Sequence, residues 1–400
     1  MHVNSSHHDD VRRTVHVTRS VLNLIGVWPS CGDSSALRLV WTKSLRMLCQ
    51  VLLYFIFVPG LLKIFLKESN ARRRLKMVGP MCYCLMAMLK HAMLIYQNNR
   101  IKDCIRHIEE DWGQVSLAED RRIMTGNSRI GRNLAILCVA FVYGSGFFYR
   151  TILPLSRGTV VTLQNVTIRP LGYNGYYVFI DPQKTPAYEI IFTIQCLCGV
   201  VQYSVTSGAC SLAALLVLHG CGQFKILIAR MEDLTRIEHT SDVNVNRKLA
   251  AIVKQHIRIK SFLDKVEDIL QYMCLVEVVG CTFILCLLGY YIIMEWEDND
   301  AVSMLTYAIL LLTFTLNIFI LCFIGELLTN QSTKMYVTSC TLNWYRIPHK
   351  TARSLVLVIA VSSVPVKITA GKFLDLSFNS FGAIVRTSVA YLNILRTTSI

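Results

Sequence analysis

A chain of 400 residues that is 53% hydrophobic and only 17% charged, with mean hydropathy +0.43, is too apolar for a water-soluble protein of this size and reads as a polytopic membrane protein. The net charge of +15 lies in the connections between apolar runs, where anionic lipid suits it better than nucleic acid; no basic stretch interleaves with aromatics of the kind that stacks bases. Most of the 15 cysteines fall inside apolar runs, as Cys82, Cys84, Cys196, Cys198, Cys281 and Cys286 do, and read as small hydrophobes rather than disulfide partners or zinc ligands.

The first 20 residues are polar, with His7, His8, Asp9, Asp10, Arg12 and Arg13, so no signal peptide is expected and insertion falls to the first membrane helix. Trp28-Pro29 ends a helical segment and anchors it at the interface. Seven apolar runs of membrane length follow, at about 45–66, 77–96, 134–153, 188–219, 273–294, 301–328 and 374–396. The fourth, at about 32 residues and roughly 48 Å, outruns a bilayer core and should continue into the cytoplasm as helix. Within 220–272, Phe224, Leu227, Ile228, Met231 and Leu234 keep helical spacing, which predicts packed cytoplasmic helices. Pro348 and Pro365 bound a separate helix of about 13 residues at 352–364, too short to span. The expected fold is all-α, a single domain of seven transmembrane helices.

Lys and Arg set the orientation. With residues 1–44 inside, the inner segments carry 25 of them against 8 in the outer ones, which predicts a cytoplasmic N-terminus and an extracellular C-terminus. Asn165-Val166-Thr167 then lies outside as a candidate glycosylation acceptor. Lys63 should snorkel near the outer end of the first span. Lys90, His91, Glu277 and Glu326 share the cytoplasmic depth, so Lys90 either pairs with Glu277 or Glu326 or each group reaches the nearby interface.

The outer halves differ in character. Tyr83 and Met86, then Tyr143, Gly146, Phe147 and Phe148, then Phe192, Gln195 and Gly199, and finally Met304 and Tyr307 would suit a pocket for a small apolar ligand, or ordinary helix packing. In the last run one face reads Ser380, Ala383, Thr387, Ala390, Ile394, Thr397, a small hydroxyl-bearing stripe that fits either a close helix neighbour or water. No Gly-Lys-Ser/Thr phosphate loop, His-Glu-x-x-His or Gly-x-Ser-x-Gly element occurs, so neither catalysis nor a metal or cofactor is expected.

Four blocks carry a family resemblance. Ile25-Gly26-Val27-Trp28-Pro29 precedes the first span; Gly222-Gln223-Phe224 with Leu227 follows the fourth. Gly325-Glu326-Leu327-Leu328, Gln331 and Ser332 lead to Asn343-Trp344-Tyr345-Arg346-Ile347-Pro348. Pro365 to Phe373 introduces the final helix, which ends Ala390-Tyr391-Leu392-Asn393-Ile394-Leu395-Arg396. Together they resemble the insect odorant receptors. That resemblance implies a ligand-gated, non-selective cation channel in the plasma membrane of a sensory neuron dendrite, a tetramer around the last helix. The last helix would be broken into a cytoplasmic half that packs subunits and a membrane half that lines the pore. Ser380, Thr387, Ala390, Ile394 and Thr397 would face the pore, with Ile394 as gate where the family often has Val or Leu. Arg396 beside a cation path departs from what conduction needs unless it points away. With only about 53 residues in 220–272, the chain lacks the long insertion of the family's co-receptor and resembles a tuning subunit. Such a subunit takes a co-receptor into a heterotetramer and binds a small volatile or hydrocarbon-like odorant. A gustatory receptor of the same superfamily would end in Thr-Tyr with a later Gln-Phe. A G-protein-coupled receptor would have the opposite orientation, Asp-Arg-Tyr after the third span and Asn-Pro-x-x-Tyr in the seventh; a transporter would break its helices at mid-membrane.

Overall fold

The apolar runs fold as long helices. The computed structural model describes residues 2–29, 36–115, 117–156, 160–161, 167–169, 171–173, 175–177, 181–234, 242–297, 299–346 and 349–398; Asn165, the candidate glycosylation acceptor, lies outside them. In chain order the helices are α1 (His2–Leu24), α2 (Ala36–Leu62), α3 (Ala71–Tyr96), α4 (Asn98–Gln114), α5 (Ala118–Phe147), α6 (Leu153–Ser156), α7 (Ala187–Asp233), α8 (Asp242–Glu297), α9 (Ala301–Thr341), α10 (His349–Ser362) and α11 (Phe378–Thr398). Wider π-helical turns prolong α2 over Lys63–Lys67 and join α5 to α6 over Phe148–Ile152. Two short antiparallel hairpins complete the described residues, β1 (Val160–Val161) with β2 (Thr167–Ile168), and β3 (Thr369–Ala370) with β4 (Leu374–Asp375).

Six helical stretches among the described residues are long and apolar enough to cross a membrane: Ala36–Lys67, Ala71–Tyr96, Ala118–Ser156, Ala187–Asp233, Val245–Glu297 and Ala301–Thr341. They contain the first six runs read from the sequence. The seventh, α11, has the length, at 21 residues, but its hydroxyl-bearing stripe together with Arg386 and Arg396 keeps it out of that apolar class.

Excess length is not confined to the fourth run. Helices of 47, 56 and 41 residues in α7, α8 and α9 measure roughly 70, 84 and 62 Å, far beyond a bilayer core. They continue as helix because an apolar stripe continues. In α8 the buried residues Val245, Leu249, Ile252, Ile259, Phe262, Leu263, Val266, Ile269, Leu270 and Met273 step by three and four ahead of the membrane run. In α9, Leu328, Ser332, Met335 and Ser339 do so beyond it.

α7 is the central post. Every residue from Val201 to Phe224 is buried, and small residues let its neighbours close in. A Cβ added at Gly208 would meet Leu22 of α1 at 2.8 Å, and one at Gly220 would meet Leu263 of α8 at 2.6 Å. α2 is the opposite case: Leu37, Trp41, Met47, Leu48, Val51, Tyr54 and Val58 stay exposed, an apolar face suited to lipid.

Lys90 resolves its two candidate partners in favour of Glu277. The pair joins α3 to α8 with both side chains almost wholly buried, at 1% and 5% exposure. Glu277 also accepts from the Asn317 amide of α9 and, at 3.2 Å, from the Cys281 thiol. The Cys138 thiol of α5 reaches Asn317 Oδ1 at 3.6 Å. Glu326 serves the last helix instead. Its carboxylate accepts the backbone N–H of Phe378 at 3.3 Å, so an acid sits at the positive end of α11. Beside it, a Cβ at Gly325 would meet the Leu376 carbonyl oxygen at 2.3 Å, so only glycine lets α9 carry the chain entering α11. Gly371 and Lys372, both with left-handed φ of 63° and 64°, turn the β3–β4 hairpin. Glu267 of α8 accepts from Thr369 N at 3.0 Å, and Gly371 N donates to the Gln271 carbonyl at 2.9 Å.

A second buried knot lies near α4. Asp111 accepts from His219 of α7 at 2.9 Å and Arg258 of α8 at 2.7 Å, with His107 at 3.5 Å. Burial pushes its carboxyl up, but the His219 hydrogen bond and the charges of His219, His107 and Arg258 outweigh that and hold it below the ordinary 3.8.

Breaking the Lys90–Glu277 pair by K90M or E277Q alone should lower stability by about 3–5 kcal/mol, because one charge stays buried without its partner. K90M/E277M together should recover most of the surface expression and melting temperature lost in either single variant. D111N should cost about 3 kcal/mol at neutral pH. Because the folded carboxyl lies below its ordinary value, the advantage of the native protein over D111N should hold above pH 3.8 and shrink as pH falls further, which melting curves at stepped pH will read.

Candidate functional site

A cavity of about 710 Å³, its mouth included, opens among α3, α5, α7, α8 and α9 beneath the segment that carries Tyr173. Its lining is aromatic and aliphatic with few polar groups, and each wall has a structural cause.

In α3, Pro80 lacks an N–H, and the Tyr291 hydroxyl enters the ladder just before it, accepting from Gly79 N at 3.2 Å and donating to the Leu75 carbonyl at 2.7 Å. A side chain inserted into a helical ladder in this way opens the helix locally. Tyr83 stands edge-on to Phe314 of α9 at 5.4 Å, with its hydroxyl 3.2 Å from Thr206 Oγ1 of α7. Tyr307 packs on Tyr291 at 5.3 Å. Gly146 of α5 is required by Tyr203 of α7, whose ring carbon Cζ would lie 2.1 Å from a Cβ placed there.

Of the residues expected to form the pocket, the cavity brings together Tyr83, Gly146 and Tyr307. The others lie outside its lining. Met86 is buried against Gly280 of α8, where a Cβ would meet its sulfur at 2.2 Å. Tyr143 bonds Ser204 Oγ at 2.6 Å and braces Tyr203 from behind. Phe147 and Phe148 are exposed, Phe192 stacks on Tyr188 at 6.1 Å, and Met304 is half-buried away from the lining. Gln195 is buried, accepting from Tyr173 N at 3.0 Å and donating to the Tyr173 carbonyl at 2.8 Å, so it fastens the covering segment. Gly199 makes room for the Arg150 side chain, 2.8 Å from where its Cβ would stand.

Among the lining residues that the sequence pattern did not point to, such as Tyr203, Tyr291 and Phe314, Arg150 stands out. It projects from the π-helical turn after α5, is 4% exposed, and bonds the Gln195 carbonyl, the Gln202 side-chain oxygen and, at 3.0 Å, the Tyr173 hydroxyl. Its guanidinium lies over the Tyr173 ring at 4.5 Å. The signal was an arginine inside a membrane-length run, a residue type that is rare there and generally functional.

α11 divides cleanly into two faces. Ile384 is buried, Ser388 donates to the Thr282 carbonyl of α8 at 3.1 Å, and Leu392 fills the notch at Gly289. The opposite face, with Ala383, Thr387, Ala390, Ile394 and Thr397, is exposed. Ser380 departs from that stripe: it is buried, donates to the Asp375 carbonyl at 2.5 Å and offers its N–H to Ser377 Oγ at 3.2 Å, so Ser377 caps the helix over it.

Residues 74–389 match the model of the 7tm odorant receptor family. The chain is 25% identical over 302 residues to odorant receptor 13a of Drosophila melanogaster, covering 70% of this chain and 68% of that one. It is 20% identical over 316 residues to odorant receptor 10 of Aedes albopictus, covering 78% and 80%. Its fold superposes on the insect olfactory receptor OR5 from Machilis hrabei in complex with eugenol, with a TM-score of 0.80 at 14% identity over 97% of each chain. A multi-pass membrane protein without enzymatic signatures, and with a family match over most of its length, the chain belongs to the odorant receptors.

Proposed function

We propose that this chain is a tuning subunit of an odorant-gated, non-selective cation channel, in which the aromatic cavity takes the odorant and α11 lines the pore. The observation that carries the reading is the division of α11. Its packed face is satisfied within the chain, while the small, hydroxyl-bearing stripe from Ala383 to Thr397 is left uncovered, flanked by exposed Arg386, Val389 and Tyr391. An uncovered apolar surface on a last helix would ask only for lipid; a stripe of Thr and Ala with Ile394 near its end suits a water-filled path closed at one apolar ring.

On this reading α10 and α11 are the two halves of one broken seventh helix. α10 and the overlength parts of α7, α8 and α9 form the cytoplasmic region, where subunits pack, and the C-terminus lies outside. The charge asymmetry of the connecting segments supports that orientation. Arg386 and Arg396 are exposed on α11 and would oppose cations in a homomer, which favours a heterotetramer in which a co-receptor carries most of the conduction. The place of action is the plasma membrane of an olfactory neuron dendrite, and Asn165 is a candidate glycosylation site on the outer side. The eugenol bound to the Machilis hrabei receptor supports a small, largely apolar odorant for this aromatic cavity.

Whole-cell recording with and without a co-expressed co-receptor should give odorant-evoked cation current that needs the co-receptor and no G protein or nucleotide; silence under both conditions across a broad odorant panel would refute the channel reading. I394A should raise the current in the absence of odorant, and an unchanged basal current would move the gate elsewhere. G146A, which forces the Tyr203 ring aside, should shift odorant dose–response curves about tenfold or more to higher concentration while surface labelling stays near that of the native protein.

A further inference from the structure

Among the described residues the buried Lys or Arg other than Arg150 meets an acid: Lys90 has Glu277. Half-buried Arg258 and Lys76 likewise have Asp111 and, at 2.7 Å, Glu295. Arg150 is different. Its guanidinium is charged at any accessible pH, yet its hydrogen-bond partners are neutral, a backbone carbonyl, an amide oxygen and a phenol. Among the described residues it forms no ion pair with a carboxylate. The faces of Tyr173 and Tyr203, at 4.5 and 5.4 Å, soften the charge without cancelling it.

A second group in the same wall is unsatisfied. Tyr203 is 8% exposed, and its buried hydroxyl finds no acceptor for its proton, since the neighbouring Arg150 guanidinium only donates. A buried phenol ordinarily finds a partner, and leaving one without costs free energy. Arg150 and Tyr203 both line the cavity, whose remaining surface is dominated by groups such as Leu287, Leu288, Phe314 and Tyr307. The site thus pairs a cationic donor and a spare hydroxyl donor with an otherwise apolar chamber.

We propose that the cavity recognises an apolar or aromatic molecule bearing one hydrogen-bond-accepting oxygen group, a carboxylate above all, seated against Arg150 and Tyr203. The inference rests on the cavity being the ligand site, and it replaces a purely hydrocarbon-like ligand with one that has a polar end. A carboxylate there gives the guanidinium the counter-charge that the fold withholds and the Tyr203 hydroxyl an acceptor. A hydrocarbon of the same shape leaves both unmet, and a site built to bond a polar group rejects the analogue that lacks it.

The test uses the purified full-length protein and equilibrium binding at pH 7, so that it does not depend on gating. Two skeletons are compared: phenylacetic acid, methyl phenylacetate and ethylbenzene; and octanoic acid, methyl octanoate and octane. Within each skeleton the acid should bind tightest, at least about tenfold above the hydrocarbon, with the ester between. That order opposes hydrophobicity, so only a polar anchor produces it. Y203F should weaken acid binding several-fold and narrow the acid-to-hydrocarbon ratio with little change in the melting temperature, since the hydroxyl proton has no acceptor in the fold. R150Q should abolish the preference; because it also releases Tyr173 and Gln195, Y203F keeps the proposal testable if R150Q does not fold. Hydrocarbons binding as well as acids, or Y203F leaving the ratio unchanged, would overturn the polar anchor while leaving the cavity as an odorant site. No binding by any member of either series would overturn the cavity reading and the inference together.

Discussion

The Lys90–Glu277 pair is the constraint on which the helical assembly turns. Two opposite charges removed from water at the crossing of α3 and α8 repay their desolvation only when their geometry is good and their remaining hydrogen-bonding capacity is used. Here Asn317 of α9 and Cys281 complete Glu277, and Cys138 of α5 completes Asn317. Apolar helices in lipid have no hydrophobic reason to prefer one register over another, since lipid tails are as apolar as leucine. A charge that can be satisfied in one register only supplies that reason. Fixing α3, α5, α8 and α9 against one another at this level also sets where Tyr83, Gly146, Tyr291 and Phe314 meet further along the same helices, so the chemistry of the cavity depends on a pair that does not line it.

What could be read from the sequence follows from how local each feature is. Six spans were legible because a run of apolar residues needs no partner to announce itself, whereas for Lys90 the sequence left pairing and reaching the interface both open, because an ionisable group near a membrane edge can do either. The partner itself was not legible, since Glu277 and Glu326 are equivalent in a linear reading and only the position of the Phe378 N–H beyond α9 distinguishes them. The cavity was the least legible part. Phe147 and Phe148 follow Gly146 directly, and on a helix that turns them by about 100° and 200° from its face. The residues that share that face are three and four positions on, Tyr149 and Arg150. Tyr291 lies where no pocket was expected, because its role depends on a gap that Pro80 opens in another helix. Arg150 stood near the end of its span, where a long basic side chain would ordinarily reach out to the interface; the π-helical turn and the space above Gly199 draw it inward instead.

The same division of labour separates stability from function along α8. Its first half is a packing helix, holding Glu267 against the β3–β4 hairpin and Arg258 against Asp111. Its second half has two working sides. Ile284, Leu287, Leu288 and Tyr291 line the cavity, while Thr282 and Gly289 receive Ser388 and Leu392 of α11. Leu288 and Gly289 are sequence neighbours facing different elements. A rigid helix cannot move one of these sides without moving the other, so a molecule that shifts Leu288 or Tyr291 displaces the surface on which Leu392 rests.

α11 is seated on both α8 and α9: Ile384 is buried, Ser388 donates to the Thr282 carbonyl and Leu392 fills the notch at Gly289, Phe378 and Phe381 pack on Phe319, and Glu326 and Ser377 cap its start. In the proposed channel, an occupant that moves α8 would carry the exposed stripe with it, and a ligand-driven switch would require two placements of that stripe. The free energy available for the switch is bounded by how differently the cavity holds its occupant in the two placements. An occupant that meets the Arg150 guanidinium in one placement and loses it in the other has more to offer than one held by apolar contact alone, because a buried charge distinguishes between positions that a hydrophobic wall treats as equal.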